Sequence, residues 1–139
     1  MGKRILVAFD GTDQSVDALE YAAAEWPDAE LTLLYVIDPA EAGLSAGRGV
    51  PSGAEEWYER TKASAEATLA DGAALVDREV GTATEVGKPS EAIVEYAGGG
   101  DVDLVVIGSH GRRGISRMVL GSVAEEVVRA SPVPVTVVR

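Results

Sequence analysis

The run LVVIGSHGRRGISRMVLGSVAEEVVRA, residues 104–130, decides how this chain is read. Leu104 to Ile107 is an unbroken apolar stretch, the mark of a strand buried on both faces. A loop bracketed by Gly108-Ser-His-Gly111 and Gly121-Ser122 follows, and Val123 to Ala130 then has helical apolar spacing. Buried strand, glycine-rich loop and helix start, in that order, are the parts of a phosphate cradle. Glycine lets backbone N–H groups come close to an anion, and a helix N-terminus adds free donors and the positive end of its dipole. The loop from Ser109 to Leu120 is also long, since strand-to-helix connections in such folds usually take about 2–6 residues.

Outward from this run, strands and helices alternate. Arg4 to Phe9 reads as a first buried strand, and Asp10-Gly-Thr-Asp13 as a turn. Val16, Leu19, Ala22, Ala23 and Trp26 recur at helical spacing until Pro27 stops them. Leu31 to Val36 is a second strand, and residues 37–53 form a Gly/Pro/Ala-rich connection. A long helix over about 53–77 presents Trp57, Ala65, Leu69 and Ala73 on one side. Val80 to Val86 alternates and reads as a third, more exposed strand; a short helix runs from Lys88-Pro-Ser90 through Ala97 and stops at Gly98-Gly-Gly100. Val133 to Val138 is the fifth strand. Strands separated by helices imply crossover connections and a parallel, doubly wound α/β sheet in one domain, residues 1–139. Ligands of such sheets bind beyond the carboxyl ends of the strands, where strand order reverses. If strands 1 and 4 meet there, the Asp10 turn and the Gly108 loop face one crevice.

Composition removes several function classes. The formal net charge is −11, from 23 acidic and 12 basic residues, which argues against a nucleic-acid partner. The imbalance is local: residues 1–100 hold 7 basic against 19 acidic side chains, and residues 101–139 hold 5 against 4. Arg112, Arg113 and Arg117 fall in the glycine loop with no acid between residues 109 and 122, so the one positive stretch coincides with the cradle. An acidic, Lys-poor, Ala/Val-rich composition resembles proteins adapted to high internal salt. There is no cysteine, hence no disulfide framework or thiolate nucleophile. No apolar run nears the roughly 20 residues of a membrane span, and the N-terminal apolar run is too short for a signal peptide. These features point to a cytoplasmic protein with no membrane partner.

Individual residues carry competing readings. Ser122-Val-Ala-Glu125 fits a capping box, with the Ser122 hydroxyl accepting from the Glu125 N–H; the same hydroxyl can donate to a phosphate. Asp10 either caps its turn or faces a ligand. Asp13 caps the first helix or helps hold a divalent cation, which needs only one or two protein oxygens when phosphates supply the rest. Gly43-Leu-Ser-Ala-Gly47 has the spacing of a nucleophile elbow, but Ser45 lies inside a long connection, away from the strand-to-helix turn an elbow requires. His110 is the only histidine, which excludes metal sites needing two. The glycine loop has neither the P-loop nor the Gly-x-Gly-x-x-Gly spacing.

Its own spacing is specific. Gly108-x2-Gly111-x9-Gly121-Ser122 resembles the G-2x-G-9x-G-(S/T) motif of the universal stress protein family, in the class that binds ATP. Val7-Ala-Phe-Asp-Gly-Thr12, Leu33-Leu-Tyr-Val36 and Pro132-Val-Pro-Val-Thr-Val-Val138 resemble the family's first, second and closing strands, so the likeness spans essentially the whole chain. The resemblance implies a five-stranded parallel sheet of order 3-2-1-4-5 with helices on both faces, adenine nucleotide alpha hydrolase-like. It implies ATP, with Mg²⁺, as the ligand, and a homodimer formed through Val133 to Val138; an apolar edge strand independently invites such pairing.

The resemblance also implies the contacts to the nucleotide. Asp10, with Gly11 and Thr12, stands near the adenosine end. Val36 meets adenine through its backbone, beside Ile107. Gly108, Ser109 and Gly111 approach ribose and phosphate, with Arg112 in the positive loop. Gly121, Ser122 and Val123 cradle the triphosphate. No catalytic residue is assigned. The expected role is a nucleotide-dependent regulatory module of the stress response; slow Mg-dependent ATP hydrolysis and a dimeric interaction protein without nucleotide are the alternatives.

Overall fold

In a computed structural model, which describes residues 2–42, 53–109 and 121–139, the five strands form one parallel sheet of order β3-β2-β1-β4-β5. The strands are β1 (Arg4–Ala8), β2 (Glu30–Ile37), β3 (Gly81–Val86), β4 (Leu104–Gly108) and β5 (Val135–Val138). The helices are α1 (Asp13–Glu25), α2 (Ala54–Ala73), α3 (Pro89–Ala97) and α4 (Ser122–Ala130), with a short 3-10 turn at Pro39–Ala42. The expected order is therefore present. β1 lies between β2 and β4, with Val7 opposite Leu33 on one side and Val106 on the other.

The unbroken apolar runs are explained by two cores. Successive side chains of a strand point to opposite faces. Ile5, Val7 and Phe9 therefore pack on one face with Leu31, Leu33 and Val106, beneath Leu19 and Ala22 of α1 and Leu69 of α2. Leu6 joins Leu34, Val105 and Ile107 on the other face, beneath Ile93 of α3 and Val127 of α4. A strand covered on both sides has no polar position to spare, so β1 and β4 show no alternation. β3 sits at an edge, exposed at both ends and partly buried at Ala83 and Thr84, the more exposed strand that the sequence implied, though its burial does not alternate.

Element ends depart from expectation where a cap or proline intervenes. β5 begins at Val135, not Val133. Pro134 has no N–H to give the ladder, though its carbonyl accepts from the Val105 N–H at 3.0 Å. Residues 131–133 are held instead by Ser131, whose hydroxyl donates to the Val133 carbonyl at 2.7 Å and accepts from the Val133 N–H at 3.1 Å. α2 ends at Ala73 rather than near Asp77. Arg78, in the connection that follows, reaches across to the end of α1 and donates from Nη1 to the carbonyls of Trp26 at 3.0 Å and Pro27 at 2.5 Å. Asp13 is not the N-cap of α1. That position is Thr12, whose Oγ1 accepts from the Ser15 N–H at 3.3 Å.

The amino end of the sheet is closed by charge. The Asp103 carboxylate, preceding β4, accepts from the Arg4 backbone N–H at 2.9 Å and from Arg4 Nε at 3.3 Å. These bonds, the backbone one foremost, hold the Asp103 carboxyl below the usual carboxylate range. A folded-state pKa depressed below the unfolded one contributes stability above the ordinary carboxylate value of about 3.9, and that contribution is lost as pH falls through the folded value. Asp103→Asn is therefore expected to be less stable than the parent at pH 7. The gap should narrow as the pH is lowered below about 4. Urea unfolding across that range checks this; a gap that widens in acid contradicts it.

Candidate functional site

The site is the crevice above the carboxyl ends of β2, β1 and β4, where strand order reverses between β1 and β4. It is a cavity of about 330 Å³, within the range of small-molecule pockets. Val36, Ile107 and Ile93 supply an apolar wall, and Asp10, Thr12, Tyr35 and Glu41 supply polar groups. Gly108, Val123 and Ala124 close the opposite side. Strands pair at about 4.8 Å, so the crevice spans roughly 10 Å from the β2 side to the β4 side. A larger groove of about 560 Å³ lies between β3 and α3. It contains the carboxylates of Glu85, Glu91, Glu95 and Asp101, which oppose any anion, and it lies away from the switch point.

On the β1 side the turn Asp10 to Ser15 is fixed by its own side chains. Asp10 Oδ1 accepts from the Thr12 N–H at 3.0 Å and from the Thr12 hydroxyl at 2.6 Å. The Ser15 hydroxyl donates to the Thr12 carbonyl at 2.9 Å. Gly11 has φ +85°, a left-handed conformation that disfavours any Cβ. The turn reading of Asp10 is present: Oδ1 holds the turn, Oδ2 takes no part in those bonds, and the residue lines the cavity. The adjacent Tyr35 hydroxyl has its pKa raised, by burial first and then by the carboxylates of Glu41 and Asp10, so it stays protonated and can donate.

On the β4 side Gly108 ends the strand against the start of α1. A Cβ there would collide with the carbonyl oxygen of Gln14 and stand 2.8 Å from its carbon. Close backbone packing, rather than a positive φ, is what demands glycine at 108. The Ser109 N–H donates to the Val138 carbonyl at 2.8 Å, so it belongs to the sheet and not to the crevice.

α4 begins at Ser122, and its cap corrects the capping-box reading. Gly121 is the N-cap, no side chain caps the helix, and the Glu125 N–H donates to the Gly121 carbonyl at 2.9 Å. Ser122 is the first helical residue and is exposed. A serine in that place has helical backbone angles and does not reach back to the third N–H as an N-cap would. The N-cap glycine has no side chain of its own to occupy the donors at this helix end, and free helix N-terminal donors suit an anion.

Of the expected contact residues, the fold brings Asp10, Thr12, Val36, Ile107, Gly108 and Val123 to the cavity wall. Gly11, Ser109, Gly121 and Ser122 stand next to it in the chain without lining it. Gly111 and Arg112 lie outside the described residues, as do His110, Arg113, Arg117 and Ser45. Tyr35, Glu41, Pro89 and Ile93 were not anticipated. The α3 pair had no local signal, because its place depends on how α3 packs over β2 and α4. Among the described residues no group of three or more His, Asp or Glu could hold a metal ion. A cation here would be held chiefly by the phosphates it accompanies.

A model of the universal stress protein family matches residues 1–139. A universal stress protein of Thermus aquaticus is 36% identical over 143 residues, covering 100% of both chains. Among solved structures, the hypothetical protein MJ0577 of Methanocaldococcus jannaschii superposes with a TM-score of 0.83 at 31% identity, covering 99% of this chain and 96% of that one. A universal stress protein crystallised in complex with cAMP superposes with a TM-score of 0.64 at 26% identity, covering 99% and 97%.

Gly108→Ala tests the packing at the crevice floor. The displaced contact is backbone, which cannot swing aside, so a loss of about 1–3 kcal/mol is expected. Chemical denaturation measures it, and an unchanged midpoint would show that β4 and α1 are not in fixed contact there.

Proposed function

The chain belongs to the universal stress protein family, and from that premise we propose that it is a nucleotide-binding module that takes ATP in the crevice between the Asp10 turn and α4. The observation that carries this reading is the polarity of the cavity. Its β1–β2 side offers Val36, a protonated Tyr35 hydroxyl and two carboxylates, suited to a base and a ribose; its far side offers the N-terminus of α4, whose N-cap is a glycine. A carboxylate beside a ribose accepts from its hydroxyls, and helix N–H groups suit phosphates. The cAMP complex of a relative at 26% identity supports an adenine nucleotide. Mg²⁺ would enter with the phosphates.

Binding, not turnover, is the proposed role. The two carboxylates of the lining, Asp10 and Glu41, stand on the β1–β2 side, across the crevice from the proposed phosphate end. We also propose that two copies join through β5. That strand is bonded to β4 on one side, and its other side is a sheet edge, a ready template for pairing. The protein would signal through nucleotide-dependent assembly in the cytoplasm.

Titration calorimetry with ATP, AMP, adenosine and GTP tests the ligand. ATP should bind tightest and GTP weakly; no heat at millimolar ATP would end the proposal. Ser122→Asp sharpens it. An acid at the first position of a helix stabilises it by about 0.3–1 kcal/mol but repels phosphate. ATP affinity should fall roughly tenfold with thermal stability kept, and adenosine affinity should stay. Light scattering of the free protein should give a dimer; a monomer at micromolar concentration would remove that part.

A further inference from the structure

The two helices that flank the crevice on its α3/α4 face are bolted together one turn from its mouth. Ser90, the second residue of α3, is 3% exposed, and its hydroxyl donates to Glu126 Oε2 at 2.5 Å. Lys88 Nζ reaches the same oxygen at 3.2 Å. Ser90 sits between Pro89 and Ile93, which line the crevice from α3. Glu126 lies one turn beyond Val123, which lines it from α4. A buried hydroxyl joined to a carboxylate by a short, charge-assisted bond is a stiff link.

We propose that the Ser90–Glu126–Lys88 clasp positions the N-terminus of α4, fixing it against α3 at the separation at which the crevice receives the phosphate end of a nucleotide. The inference rests on the nucleotide reading above and assigns that site its positioning residues. Both acids of α4 are paired, Glu126 with Lys88 and Glu125 with Arg129 at 2.8 Å. The clasp thus holds the helix end in place and also offsets a carboxylate that would weaken its pull on an anion. Lys88 is one of only three lysines in a chain of net charge −11, and it stands where that offset matters.

The test separates positioning from bulk stability. Ser90→Ala, which leaves both charges of the clasp in place, is expected to weaken ATP binding about tenfold, with adenosine affinity changed less than twofold, because the phosphates are what meet the N-terminus of α4. Ser90→Thr, which keeps the hydroxyl, should restore ATP affinity. Equal losses for ATP and adenosine, or no loss for either, would overturn the proposal. Hydrogen exchange in the nucleotide-free protein gives a readout independent of ATP. The hydrogen-bonded amides of α4, from Glu125 onward, should exchange faster in Ser90→Ala, while β1 and β4 amides keep their protection. Unchanged exchange in α4 refutes the clasp as a positioning device. If the parent protein binds no ATP but α4 exchange rises, the nucleotide reading falls and the mechanical role of the clasp stands.

Discussion

At Gly108 the end of β4 lies so close to the Gln14 carbonyl at the start of α1 that no side chain fits between them. That contact brings the β1–α1 turn and the end of β4 to one rim. β1 and β4 are neighbours in the sheet although nearly a hundred residues separate them in the chain, and Asp103 and Arg4 tie their other ends. With both ends of the pair fixed, the crevice has a rigid floor. Its polar groups can be held by short local bonds, as in the Asp10–Thr12–Ser15 turn.

Charge is distributed with the same economy. The chain is strongly acidic, and most carboxylates stand on exposed helix faces or around the groove between β3 and α3. Near the β4 side of the crevice the acids of α4 are paired with cations. The helix dipole acts over about one turn, so what matters to an anion is this neighbourhood and not the net charge of the protein.

Much of this was legible in the sequence because it depends on local pattern. The uninterrupted apolar runs at β1 and β4 mark strands covered on both faces, and the glycine at 108 follows one of them directly. What escaped depends on geometry that a string of letters does not carry. Ser122 followed by Glu125 has capping-box spacing, yet the chain turns one residue earlier and Gly121 takes the cap. Thr12 rather than Asp13 caps α1 because the Asp10 turn already holds the Thr12 hydroxyl. Proline at 134 delays β5. Pro89 and Ile93 reach the crevice, and Ser90 meets Glu126, only because α3 and α4 pack side by side.

The division of the interior into two cores has a consequence for how such a chain can vary. The sheet is a partition: α1 and α2 cover one face and α3 and α4 the other. The apolar wall of the crevice comes mainly from the second. Of the core beneath α1 and α2, Phe9 and Tyr35 reach the cavity wall, whereas Leu31 and Leu69 are not part of it, and effects of well-separated sites add independently. Residues such as Leu31 and Leu69 can therefore tune durability without touching what the crevice holds, whereas a change at Phe9 or Tyr35 acts on both.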